Sequence, residues 1–246
     1  LSKNNDIFIT SAKLLGEEHA MVIFPEGSHH INRTVRPLSK GFTRIIFETF
    51  ESYPELKIQL IPVGLNFVKA DSFADSVSIN FGDPFELSSK VASNKNKSTE
   101  KLKNLVFKNL CQLTTHIESK NYDPNLNKLM KLKADFLNPT AVNTCIANDF
   151  KNCEFKPSFS YSIIKKFFKW CLILLVFVPY IIWKLGIQPK VKEIEFISTF
   201  RFAVAITLVP IYVLTLTWVL LLMVGIKLAL GYLLSVFVLT LLAVKL

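Results

Sequence analysis

Apolar residues follow two different periods along the first half of the chain. Over residues 1–19, Ile7, Phe8, Ala12 and Leu15 recur close to one face at helical spacing, and Gly16 is a stop signal. The next stretch, AMVIF (20–24), is a continuous apolar run, which predicts a short strand buried on both sides. Helical spacing returns over 41–50, with Phe42, Ile45, Ile46 and Thr49 inward. IQLIPVG (58–64) predicts a second buried strand and VSINFG (77–82) a third, with clear alternation. Strands separated by helices predict an α/β fold with at least partly parallel pairing. Pro62 implies a sheet edge, a bulge or a strand end, because proline has no N–H for the ladder.

Further along, the spacing changes. SSKVASNKNKS (88–98) is polar and rich in breakers, which predicts a linker or surface loop. Leu102, Leu105, Val106, Leu110, Leu113 and Ile117 then mark an amphipathic helix over 99–119. It covers the sheet, or its lysine side meets a membrane surface. Residues 120–160 are polar, contain Pro124, Pro139 and Pro157, and show no long period; they predict a connector with short helices.

The last third is written for a different solvent. Residues 202–226 are 25 uncharged positions between Arg201 and Lys227, and 228–244 are 17 more. About 20 apolar residues cross a bilayer, so this pair predicts a transmembrane hairpin. Residues 170–183 are also uncharged but are basic on both flanks, with Lys165, Lys166 and Lys169 before and Lys184, Lys190 and Lys192 after. A full crossing would set one lysine cluster against the positive-inside tendency, so an interfacial or re-entrant helix is predicted near 168–187. The expected division is therefore 1–87, part of an α/β domain; 88–160, amphipathic helix and connector; and 161–246, membrane anchor.

Composition sharpens this picture in two respects. The 246 residues carry a net charge of +10, yet half are hydrophobic and the mean hydropathy is +0.35. Such an excess of lysine suits an anionic partner: nucleic acid, anionic lipid or a phosphorylated substrate. The cysteines, Cys111, Cys145, Cys153 and Cys171, form no CxxC pair and no metal-ligand spacing, and are expected to be reduced packing thiols of a cytosol-facing protein. No P-loop, dinucleotide fingerprint or serine nucleophile elbow is present, and no metal site is indicated. The first residue is Leu, and the chain is expected to be the C-terminal portion of a longer protein.

The chemistry concentrates in FPEGSHH (24–30), directly after the first apolar run. A strand leaving through Pro25-Glu26-Gly27 exposes a carboxylate at a sharp turn, and Gly27 permits close backbone approach. Arg33, Arg36 and Lys40 follow. Arginine forks grip phosphate oxygens, and a carboxylate accepts from a hydroxyl, so the set suits a phosphate-bearing ligand. The structural alternative is a surface turn whose Glu26 pairs with a nearby arginine.

Phe24-Pro25-Glu26-Gly27, then Pro37-Leu38-Ser39-Lys40-Gly41, a helix, and Ile61-Pro62-Val63-Gly64-Leu65 resemble, in order and spacing, the glycerolipid acyltransferase family: the 1-acylglycerol-3-phosphate and glycerol-3-phosphate acyltransferases. The resemblance covers roughly residues 1–87. It implies an α/β fold, here a partial acyltransferase sheet with flanking helices, followed by C-terminal membrane helices. It implies acyl transfer from an acyl-CoA or acyl-carrier-protein thioester to a glycerol-phosphate or lysophospholipid hydroxyl, with no further cofactor, with membrane lipid as a partner and nucleic acid not. By the resemblance, Phe24, Pro25, Glu26, Gly27, Ser28 and His29, with Arg33, Arg36 and Lys40, hold the acceptor phosphate. Ile61, Pro62, Val63 and Gly64 then line the acyl side. The expected location is a membrane, with the catalytic domain on the cytoplasmic face.

Two departures qualify that implication. The common family form continues FPEG with Thr-Arg-Ser, where this chain has Ser28-His29-His30; either imidazole could hydrogen-bond phosphate, and Arg33 or Arg36 takes over the charge. The family's catalytic motif is His-x4-Asp, its histidine the general base on the acceptor hydroxyl. Five positions after His19, His29, His30 and His116 stand Phe24, Thr34, Val35 and Asn121, so no such pair occurs. The motif is expected upstream of Leu1, no catalytic residue is expected in this chain, and the chain alone is expected to be inactive. The rivals are a non-catalytic, membrane-anchored lipid-binding or scaffold protein of the same fold, and a transporter piece with a soluble head.

Overall fold

The structure is a computed structural model describing residues 2–28, 30–72, 75–153, 155 and 162–245. It divides into two compact units, one formed by residues 1–68 and 77–156 and the other by 69–76 and 157–246.

The first unit opens with α1 (Ser2–Gly16), which packs on α2 (Gly41–Ser52). The Arg44 guanidinium of α2 lies 4.2 Å over the Phe8 ring of α1. Gly16 ends α1 where a Cβ would sit 2.3 Å from the Tyr53 ring, so only glycine lets the two helices close. Apolar residues of α2, chiefly Phe42, Ile46, Phe47 and Phe50, meet Leu102, Val106 and Leu110 of α3 (Lys95–Leu113) in the main core.

Four short strands lie between these helices: β1 (Ile58–Leu60), β2 (Val63–Phe67), β3 (Val77–Phe81) and β4 (Phe85–Leu87). β1 pairs with β4 and β2 with β3, both antiparallel. The expected parallel pairing is thus absent among the described residues. The connection from Val68 to Ser76 is too short for a parallel crossover, which needs a dozen or more residues. Pro62 falls at the break between β1 and β2, and the Gly82 N–H bridges to its carbonyl at 2.9 Å.

Residues 20–24 form no strand. They have no ladder partner among the described residues, and Val22 is 85% and Phe24 77% exposed. Burial of 58–64 is likewise only partial. Along β2 and β3 the apolar side chains Val63, Leu65, Phe67, Val77, Ile79 and Phe81 are exposed, while Asn66 is buried. The hairpin therefore turns its amides, not its hydrocarbon, toward α3.

The helix expected over 99–119 starts earlier and ends at Leu113. Asn94 caps its start, accepting from the Lys97 N–H, so part of the expected linker is helical. At its end, the Cys111, Leu113 and Thr114 carbonyls accept from the Asn143 and Asn66 side chains instead of continuing the helix. Ile117 then leaves the helix for a second core with Leu129, Phe136 and Val142, built by α4 (Tyr122–Lys131) and α5 (Pro139–Ala147). The cysteine expectation is corrected here: Cys145 and Cys153 form a disulfide, brought to a Cα separation of 5.2 Å by the reversal after α5.

The second unit holds α6 (Ser162–Leu175), α7 (Phe177–Ile181), α8 (Ile197–Met223) and α9 (Ile226–Lys245). By length and composition, Ile194–Met223 and Ile226–Val244 can each cross a membrane, with mean hydropathies of 2.3 and 2.2. Little of either is buried against protein, so each leaves an apolar surface of the kind a bilayer covers. Residues Ile163–Leu175 and Phe177–Lys190 form a helix pair bent by 102°, the geometry of a broken span or re-entrant loop. α6 runs antiparallel to α9: Lys165 Nζ reaches the Val244 carbonyl at 3.4 Å, and the Tyr232 hydroxyl reaches that of Leu175 at 3.1 Å.

Candidate functional site

Residues 33–35 are laid down first, because they fix what precedes and follows them. The Ile117 N–H donates to the Arg33 carbonyl at 2.7 Å and the Thr34 hydroxyl to the Ile117 carbonyl at 2.7 Å. The Val35 N–H donates to His116 Nδ1 at 3.0 Å. Val35 and Leu38 enter the main core, so Arg36 between them is set on the opposite, outward side.

From there Arg36 folds back over the FPEG turn. Its Nε donates to Glu26 Oε2 at 3.3 Å, one Nη to the Ser28 hydroxyl at 2.9 Å, and the other to the Ser28 carbonyl. The Ser39 N–H closes the same corner on the Pro25 carbonyl at 2.7 Å. Gly27 sits at φ +75°, the left-handed region that favours glycine. Glu26, Gly27, Ser28 and Arg36 thus form one corner, and the Glu26–Arg36 side chains remain partly open to solvent.

Arg33 goes elsewhere. Its two Nη groups donate to the Phe67 and Val68 carbonyls at 2.6 and 2.7 Å, and its guanidinium lies 4.0 Å over the Phe136 ring. It clamps the end of β2. Lys40 is exposed at the start of α2. Phe24 projects into solvent. His29 lies outside the described residues. His30 is exposed, and its Nδ1 accepts from the Asn32 N–H at 2.9 Å.

Ile61, Pro62, Val63 and Gly64 lie at the β1–β2 break, and among the described residues no hydrogen bond or ion pair joins them to the corner. A Cβ on Gly64 would stand 2.3 Å from the Leu113 carbonyl oxygen, so this glycine serves the approach of β2 to the end of α3.

Cys111 is a free thiol, as expected from the sequence. Burial, with the nearby Glu26 carboxylate adding to it, pushes its thiol up to about 11. It is a neutral packing thiol there, not a nucleophile. His116 is held neutral by burial, which lowers its pKa and outweighs the Glu118 charge. With Nδ1 accepting from Val35, its proton sits on Nε2. No cluster of three or more His, Cys, Asp or Glu among the described residues could hold a metal.

Such a corner can recognise an anion. A guanidinium already aligned on a carboxylate and a hydroxyl offers the fork geometry that a phosphate matches. Comparison with known proteins finds acyltransferases. Over 73 residues the chain is 27% identical to glycerol-3-phosphate O-acyltransferase 1 of Saccharomyces cerevisiae, which covers 30% of this chain and 10% of that protein. Over 67 residues it is 30% identical to an uncharacterized acyltransferase of Schizosaccharomyces pombe, covering 27% of this chain and 10% of that one. The similarity is to acyltransferases, and it spans about a tenth of the length of each of these relatives. No family model and no solved structure matches the chain.

Proposed function

We propose that this chain belongs to a membrane-bound acyltransferase of glycerolipid synthesis and supplies its acceptor-phosphate corner. The carrying observation is the Arg36 fork on Glu26 and Ser28, in a chain whose similarity is to acyltransferases. In this reading the acceptor is glycerol phosphate or a lysophospholipid, and the donor an acyl-CoA or acyl-carrier-protein thioester. The acceptor phosphate takes the Glu26 place on Arg36, exchanging one anion for another on a prealigned fork. Glu26, released, accepts from a glycerol hydroxyl. The hydroxyl attacks the thioester carbonyl as a base takes its proton; the carbon–oxygen ester bond forms, the carbon–sulfur bond breaks, and the departing thiolate takes that proton from the base to leave as the thiol. None of the four histidines here provides the base in His-x4-Asp form, and we assign it to another part of the protein.

Charge supports a cytoplasmic placement of the first unit. Lys69, Lys165, Lys169 and Arg201 lie near one another in the second unit, at the end of α6 that meets the end of α9. Between Arg201 and Lys245 the sequence carries one cation, Lys227, near the α8–α9 turn. Basic ends stay inside.

The test is acyl transfer by the full-length protein from acyl-CoA to glycerol 3-phosphate and to lysophosphatidate, with Arg36→Ala alongside wild type. A rise in the acceptor KM with the acyl-CoA KM unchanged is expected. An unchanged acceptor KM would remove the phosphate assignment. Binding of lysophosphatidate without turnover by the full-length protein would replace catalysis with a lipid-binding role.

A further inference from the structure

Within the second unit, a cavity of about 380 Å³ opens where the bent helix pair ends and α8 begins. That volume is in the range of small-ligand sites. Its wall has two chemistries. Phe196 and Phe200 give it an apolar side at the first turns of a helix able to cross a membrane. Lys190, Lys192 and Glu193 give it a charged side just before that helix. An amphiphile with an anionic head and a hydrocarbon tail matches this order of groups along the bilayer normal.

The backbone keeps the space open. Gly186 lies in a π-helical stretch, Ile182–Ile187, and lines the cavity. A Cβ there would meet nothing within 4 Å. Wide turns of this kind are rare and are frequently found at functional sites.

Charge narrows the ligand. Two lysines and one glutamate leave one net positive charge at the mouth. A phosphodiester with an uncharged head, carrying one negative charge, balances it. A zwitterionic choline head does not supply that net charge. Glu193 would accept from a hydroxyl on such a head. We propose that this cavity binds one anionic glycerophospholipid of the surrounding leaflet, its phosphate at Lys190 and Lys192 and an acyl chain along Phe196 and Phe200. This site is separate from the corner at Glu26 and does not depend on the reading given to that corner.

The test is native mass spectrometry of the full-length protein released from nanodiscs of equimolar phosphatidylglycerol and phosphatidylcholine. Wild type is expected to retain one phosphatidylglycerol in preference to phosphatidylcholine. Inorganic phosphate and glycerol 3-phosphate added in excess are expected not to displace it; displacement would show a free-phosphate site instead. Gly186→Leu, which fills open space, is expected to remove the retained lipid while leaving helical content and melting unchanged. Lys190→Gln with Lys192→Gln is expected to lower the phosphatidylglycerol preference about tenfold or more, since each cation near an anionic surface contributes about fivefold. Equal retention of the two lipids by wild type, or an unchanged preference in the double lysine variant, would overturn the proposal. The lysine variant decides the matter should Gly186→Leu fail to fold.

Discussion

Arg36 and Glu26 are ten residues apart in sequence, yet the Arg36 Nε lies 3.3 Å from Glu26 Oε2 across the mouth of the FPEG turn. The side chains are 26% and 31% exposed, so water reaches the pair. A pair this accessible contributes about 1 kcal/mol or less to stability. Arg36→Ala is therefore expected to shift the unfolding midpoint little while raising the acceptor KM about tenfold or more, as a lost charge-assisted contact does. Thermal melts beside steady-state kinetics check this. A large loss of stability with unchanged KM would make the pair a structural staple.

Asn66 has the opposite profile. It is 3% exposed, its Nδ2 donates to the Leu113 carbonyl at 2.9 Å, and its Oδ1 accepts from the Thr115 N–H at 2.7 Å. Asn66→Leu strands the buried Thr115 N–H and is expected to cost about 1–3 kcal/mol. Its neighbour Leu65, 42% exposed, is expected to tolerate Ser at under about 1 kcal/mol. Protease resistance and chemical unfolding of the two variants should rank them in that order, contrary to their hydrophobicity.

Gly64 is expected to admit no larger residue. Gly64→Ala places a carbon 2.3 Å from the Leu113 carbonyl oxygen, against backbone that cannot swing aside. A cost of about 1–3 kcal/mol follows from such overpacking. Gly186→Ala, facing open space, is the control and is expected to be neutral in the same melt.

His116 ties stability to pH. Its folded-state pKa is lowered by burial from an ordinary value of about 6.5. The unfolded chain then binds the proton more readily, so stability is complete above about pH 6.5 and falls as pH drops through the lowered folded-state value. Glu118 opposes the shift without reversing it. Melting temperatures between about pH 5 and 8 should fall on the acid side. His116→Gln, which keeps an acceptor for the Val35 N–H, is expected to flatten that slope.

The membrane helices were legible in the sequence because their signal is local. A run of uncharged residues long enough to cross a bilayer needs no partner to be recognised. The α2 face and the break at Pro62 were legible for the same reason, since helical period and a missing N–H belong to the residues themselves. A pairing of Glu26 with a nearby arginine was legible too, but the sequence left both Arg33 and Arg36 open for it.

Residues 20–24 and the hairpin show where local reading stops. AMVIF has the composition of a buried strand, but a strand exists only when another backbone completes its ladder, and here none does among the described residues. Alternation along 77–81 revealed two faces without saying which one turns inward, and the structure turns the Ser78 and Asn80 face inward, half-buried, and leaves Val77, Ile79 and Phe81 exposed. Arg33 and Arg36 are the same residue type three positions apart, and only the tertiary contacts send one to the β2 carbonyls and the other to Glu26. By itself the sequence determined the α2 face, the two long apolar helices and the inventory of charged groups, because these depend on near neighbours. Tertiary structure decided strand direction, the inward face, the Cys145–Cys153 bond and the occupation of each cation, because these depend on groups far apart in the chain meeting at hydrogen-bonding distance.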